Sequence, residues 1–355
     1  MLGEIAARIL TPAPYRIAEY LTVDGQEIPA CEQANLFLRT AEQTLYLSKP
    51  HGTLPAGLHV RMRYDRPRAE GFDADGCVTL TINSLGFRDE EFPVQKPRGE
   101  FRILALGDSF TYGWGVANGD DWPQQLERLL AHTRGSCEVV NAGFATGAAT
   151  PDGYDRWLAS DGMQLQPDLV VVGLCLNDMG EVPMLAYPVV GREPVLGGWS
   201  RLLDLSWQSF RQHQVRRERR DHGEIVRRNP TYWNATTAAL RRLRDQLAGA
   251  HVPLLLVVFP MLSQLREHYP YASLHAMART FADAEGIACL DLMQAFVGRD
   301  EDTLTVHPTD QHPNAAAHRE FAAHIHTELA ARGWLLLGQD QRDSSAAGHT
   351  GRNPK

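Results

Sequence analysis

Five short runs that are apolar almost from end to end set the tightest limit on how this chain can fold. They are residues 102–107 (RILALG), 137–141 (CEVVN), 168–174 (DLVVVGL), 253–259 (PLLLVVF) and 287–291 (IACLD). A strand with one wet face alternates polar and apolar residues. Runs rich in Val, Leu and Ile that do not alternate are strands buried on both faces. Helix-like segments near 120–133, 151–164, 231–250 and 268–285 separate them, and a last one lies near 313–332. Alternation of strand and helix predicts a parallel sheet covered by helices on both sides.

Residues 1–100 follow another pattern. Short alternating runs, Leu58 to Tyr64 and Cys77 to Ile82, lie between turn-rich stretches, which predicts a small strand-rich N-terminal region. It ends in NSLGFRDEEFPVQKPRGE, a polar linker, and the main domain then spans 101–335. Residues 180–230 interrupt the rhythm with an insertion over the sheet edge that holds seven arginines between Arg211 and Arg228. That insertion is either a solvated helix or a lid or anion-binding element. Residues 336–355 have the composition of a disordered tail.

A net charge of −8 gives no reason to expect nucleic-acid binding. No stretch reaches the roughly 18 to 20 apolar residues of a membrane span. The N-terminus lacks the basic and apolar regions of a signal peptide, so a cytoplasmic protein is expected. The five cysteines are odd in number and form no CxxC pair, which suggests neither a disulfide framework nor a zinc site.

Ligands of an open parallel sheet bind beyond the carboxyl ends of its strands. The first such end carries Gly107-Asp108-Ser109, whose serine is either a hydroxyl nucleophile or the N-cap of the next helix. The second carries Asn141-Ala-Gly-Phe-Ala-Thr-Gly147, a loop whose glycines let backbone N–H groups face a ligand or merely make turns. The third carries Asn177-Asp178, where an amide can donate to a developing oxyanion or cap a helix. The last block, Asp310-Gln-His312-Pro313-Asn314, puts a carboxylate two residues from an imidazole, with Pro313 expected in the first helical turn. His307, five residues earlier, is a competing histidine. Each signal alone is ordinary. Together they supply a nucleophile, a backbone N–H loop, an amide donor and an Asp–His base, the parts of an acyl-transfer site.

At these residues the sequence resembles the SGNH hydrolases, or GDSL-type esterases and lipases, over about residues 101–332. The resemblance implies a three-layer α/β/α sandwich of flavodoxin-like type with a five-stranded parallel sheet. It implies Ser109 as nucleophile, His312 as general base and Asp310 as the residue that orients it. The implied oxyanion hole is the N–H of Ser109, the N–H of Gly147 and the amide of Asn177, with Gly143 as the alternative to Gly147. Here Asp310 stands two residues before His312, where the family usually has three. No metal or cofactor is implied. The expected activity is hydrolysis of a short acyl ester on a sugar or small metabolite. The alternatives are acyl transfer on the same acyl-enzyme, or an inactive binding module. Tyr112, Trp114 and the 180–230 insertion are expected to line the pocket. The N-terminal region with Arg88 looks like the leader of some members, and a place for Arg88 near the site is the lesser alternative. Other classes lack their marks: there is no P-loop, GxGxxG, GxSxG elbow or HExxH.

Overall fold

The structure is a computed structural model that describes residues 2–10, 19–23, 26–27, 54, 56–67, 69–145, 149–180, 199–217, 222–266 and 269–336. Its centre is a parallel sheet of β5 (Phe101–Gly107), β6 (Cys137–Gly143), β7 (Leu169–Leu174), β8 (Leu254–Val258) and β9 (Ala288–Asp291), in the order β6-β5-β7-β8-β9. Every residue of β5, β7 and β8 is buried, as runs without alternation require. The strand order reverses at β5, and the crevice at the carboxyl ends of β5, β6 and β7 is the ligand position of a doubly wound sheet. The expected three-layer fold is therefore present.

Helices fill the intervals. α3 (Trp122–Arg134) starts at an Asp121 cap with Pro123 in its first turn, and α4 (Pro151–Ser160) starts at a Thr150 cap. α7 (Thr231–Gly249) and α8 (Ala272–Glu285) follow, and α10 (Ala315–Ala331) closes the domain. The remaining short helices are α2 (Ser109–Tyr112) and α9 (Met293–Phe296). In the insertion lie α5 (Arg201–Arg217) and α6 (His222–Arg228). Residues 181–198 and 218–221 of it, and the expected tail from 337 on, lie outside the described residues. A helix that the sequence reading did not foresee, α1 (Leu2–Leu10), packs on α5. Its Glu4 carboxylate accepts the backbone N–H groups of Arg201 at 2.9 Å and Leu202 at 3.1 Å, closing the start of α5. Those N–H groups hold the Glu4 carboxyl down at about 2.

The N-terminal region contributes an antiparallel sheet in the order β2-β1-β3-β4, built from β1 (Glu19–Val23), β2 (Gln26–Glu27), β3 (His59–Arg63) and β4 (Cys77–Thr81). It has its own core, in which Leu58, Met62, Tyr64, Val78, Leu80 and Ile82 pack with Tyr112, Val116, Val306 and Ala315 of the main domain. The segment expected as a polar linker is packed as well: Asn83, Phe87, Arg88, Asp89 and Phe92 are all buried. Linker composition misleads here because the charged residues find buried partners, such as Asp121 for Arg88 at 3.1 Å.

Candidate active site

The placement of Ser109 begins with three glycines. Gly107 ends β5 and is paired in register with Gly143 of β6 and Gly173 of β7. A Cβ on Gly107 would run into Thr111, one on Gly143 into the backbone of Tyr112, and one on Gly173 into Thr111 Oγ1 at 2.6 Å. The row is bare so that α2 can sit directly on the sheet edge. Asp108 caps α2, its carboxylate accepting the Phe110 N–H at 2.9 Å. The cap is thus Asp108, and Ser109 is the first helical residue with its hydroxyl left for other work.

Opposite stands a hairpin of β10 (Thr305–His307) and β11 (Asp310–Pro313). Here Pro313 is not in the first helical turn as expected: it ends β11, and Asn314 caps α10 by accepting the Ala317 N–H at 3.0 Å. The strand geometry sends Asp310 and His312, two residues apart, to one face. His312 Nε2 lies 2.9 Å from Ser109 Oγ, and His312 Nδ1 lies 2.6 Å from Asp310 Oδ1. The same Oδ1 accepts the His312 backbone N–H at 3.1 Å. A spacing of two therefore suffices because the carboxylate folds back on its own strand.

Burial would push the His312 imidazole down, but the charge and hydrogen bond of Asp310, with a smaller part from Asp108, raise it above the usual 6.5. Burial likewise pushes Asp310 up. The His312 charge, the His312 hydrogen bonds and the Tyr64 hydroxyl outweigh it and hold the carboxyl below its ordinary value. The Ser109 hydroxyl, the His312 imidazole and the Asp310 carboxylate thus stand in one hydrogen-bonded row, an arrangement that can move a proton from a hydroxyl onto an imidazole.

Asn177 lies in a short 3-10 turn (Leu176–Met179) directly after β7. Its amide donates to Asp108 Oδ2 at 3.3 Å, which fixes the side chain beside α2. Burial raises the Asp108 carboxyl, opposed by the Phe110 N–H, His312 and Asn177. Gly147, expected to supply an N–H, lies outside the described residues. The N–H of Gly143 donates to Asn141 Oδ1 at 3.1 Å. Asn141 is itself held by Asp121 at 3.0 Å and by the carbonyl of Tyr112 at 3.3 Å. Trp114 and Phe110 flank the imidazole, with ring centres 6.2 and 6.0 Å away.

Other expectations resolve differently. Tyr112 is buried and packs into the N-terminal core. Arg88 reaches the site from beneath: its guanidinium donates to the carbonyls of Tyr112 and Val116, which fixes the turn after α2. His307 is structural, with Nε2 2.7 Å from the carbonyl of Asp65 and Nδ1 2.7 Å from Thr309 Oγ1. Tyr64 was not singled out from sequence, yet its hydroxyl is 2.8 Å from Asp310 Oδ2. The two residues are 246 positions apart, and no local pattern announces such a contact. Among the described residues no group of three or more His, Cys, Asp or Glu is placed to hold a metal. No described helix is long and apolar enough to cross a membrane.

Residues 105–320 match the model of the GDSL-like lipase/acylhydrolase family. A search of curated protein sequences returns no match. Solved structures similar to this chain include the lipase/acylhydrolase from Enterococcus faecalis, at 16% identity and TM-score 0.41, covering 65% of this chain and 96% of that one. A psychrotrophic esterase from Pseudoalteromonas sp. is 15% identical with TM-score 0.40, covering 66% of this chain and 99% of that one. A two-domain esterase active on acetylated mannans is 16% identical with TM-score 0.42, covering 65% of this chain and 49% of that one.

Proposed function

This chain belongs to the GDSL-like lipase/acylhydrolase family, and from that premise we propose that it is a serine esterase working through an acyl-enzyme on Ser109. The observation that carries the reading is the 2.9 Å contact between Ser109 Oγ and His312 Nε2, with Asp310 on the far ring nitrogen. Ser109 Oγ attacks the ester carbonyl while His312 Nε2 takes its proton. The C–O bond to the alcohol then breaks, and the imidazolium returns that proton to the leaving alkoxide. Water, deprotonated by the same nitrogen, attacks the acyl-serine, and the acid departs as Ser109 regains its proton.

The negative oxygen of each tetrahedral intermediate is met by the Ser109 N–H and the amide of Asn177, with the N–H of Gly147 as third donor. Each such donor is typically worth about 3 kcal/mol in the transition state. Asp108 serves as the anchor of Asn177, holding its amide beside α2. The substrate we assign is a short acyl group on a sugar or other small metabolite, for which half-buried Trp114 beside His312 offers an aromatic face. The domain limits proposed are 1–100 for the N-terminal region and 101–335 for the hydrolase.

The test is hydrolysis of p-nitrophenyl acetate, butyrate and octanoate by wild type and Ser109→Ala. We expect turnover that is highest on the shortest ester and falls at least ~10³-fold in the variant, with unchanged circular dichroism. Equal rates in the two proteins would remove Ser109 from the chemistry.

A further inference from the structure

We propose that Tyr64 of the N-terminal sheet is a positioning residue for the Asp310–His312 pair, so that the site is completed by the N-terminal region. The inference rests on the esterase reading for its kinetic consequence but not for its geometry. Asp310 spends Oδ1 twice on His312, at Nδ1 and at the backbone N–H. Oδ2 takes the Tyr64 hydroxyl at 2.8 Å. A carboxylate is acceptor-only, so the hydroxyl donates. With both oxygens engaged, the carboxylate plane is fixed and so is the ring it orients.

The chain around Tyr64 is arranged for this contact. The Tyr64 N–H donates to the carbonyl of Gly76 at 2.9 Å, locking the residue at the end of β3. Its ring meets Phe72 edge-on at 5.2 Å and lies 5.6 Å from His307. Gly115, with φ +80°, stands where a Cβ would come within 2.9 Å of the Tyr64 hydroxyl. The last glycine of the sequence stretch GDSFTYGWG thus leaves room for a side chain from another region. The hairpin is tied to the N-terminal sheet again through His307 and the Asp65 carbonyl at 2.7 Å.

The charged and titratable groups facing His312 are Asp310 and, through it, Tyr64 on one side and Asp108 from the end of β5, with His318 of α10 behind. His307 faces Asp310 from β10. Against that set, Tyr64→Phe removes one donor and keeps the ring. The carboxylate left with fewer donors pulls harder on the imidazolium proton, so His312 should titrate higher.

The experiment has two readouts. On p-nitrophenyl acetate we expect Tyr64→Phe to lower kcat about tenfold with KM little changed. In the protein without substrate, the His312 imidazole followed by NMR should titrate about half a pH unit higher than in wild type. Phe72→Leu loosens the same packing and spares the hydroxyl. It should lower stability and leave the titration where it is. If Tyr64→Phe matches wild type in both kcat and titration, Tyr64 is a packing residue and the proposal falls. It falls equally if Phe72→Leu moves the titration as far as Tyr64→Phe does. Absence of ester turnover in wild type would instead overturn the esterase reading, and the titration would still decide the role of Tyr64.

Discussion

Asp310 is where burial and charge oppose each other most directly. Its neighbourhood is dry enough to raise a carboxyl, yet His312 and Tyr64 hold it ionised. In return its charge lifts the His312 imidazole above 6.5. A general base must be neutral to accept a proton, so activity is lost as pH falls through the His312 value. The acid limb of kcat/KM should therefore be centred above 6.5, and the rate should level off at higher pH. Asp310→Asn removes the charge and leaves burial opposed only by the smaller pull of Asp108, which pushes the imidazole down. We expect that limb to move to lower pH while kcat drops about 10³- to 10⁴-fold, since the ring also loses its fixed tautomer. A pH–rate profile of the two proteins checks the sign: movement of the limb to higher pH would mean that Asp310 is not the group that holds His312 charged. The raised imidazole also bears on folding. A group raised on folding stabilises the native state fully below its unfolded value, and that share is lost as pH climbs through the folded one.

At the scale of elements, the sequence announced the parallel sheet and concealed the hairpin. Runs such as Leu169–Leu174 are long, β-branched and apolar, so their burial on both faces is written into their composition. Strand β10 has three residues and β11 four, and they meet across Pro308 and Thr309. Segments that short carry no periodicity, and Pro313 followed by the alanines of α10 imitates a helix start. Ser109, Asn177 and His312 were legible because each stands at a strand end or beside a helix start. Tyr64 was not, because its partner is distant in sequence. Asn314 joins the two kinds of element. Its amide donates to the carbonyls of Thr303 at 2.9 Å and Thr305 at 3.2 Å, while its oxygen caps α10. Asn314→Ala should cost about 1–2 kcal/mol in urea unfolding, the scale of a lost cap. Because β11 hangs from the same residue, it should also reduce kcat. A variant as active as wild type but less stable would show that the hairpin is held without it.

At the scale of the whole molecule, the described residues form two cores that share a border at the site. The larger core fills the parallel sheet and its helices, and the smaller joins the N-terminal sheet to Tyr112, Val116, Val306 and Ala315. Tyr112 belongs to α2 and Val306 to β10, so unfolding the N-terminal sheet strips the backing from both sides of the Ser109–His312 contact. Arg88 strengthens the border. Its fully buried pair with Asp121 would leave an uncompensated charge inside if either half opened alone, a cost of about 3–5 kcal/mol. Chains well beyond 150 residues often unfold in steps. Here the shared border predicts that loss of esterase activity, tryptophan fluorescence and far-UV ellipticity follow one urea transition. Met62, buried in the small core of β3, provides the lever. Met62→Ala should cost about 2–5 kcal/mol and move all three midpoints down together. If activity were lost at a distinctly lower urea concentration while most ellipticity persisted, the two cores would be separable units. The N-terminal sheet would then be a dispensable cover and not part of the frame that holds the site.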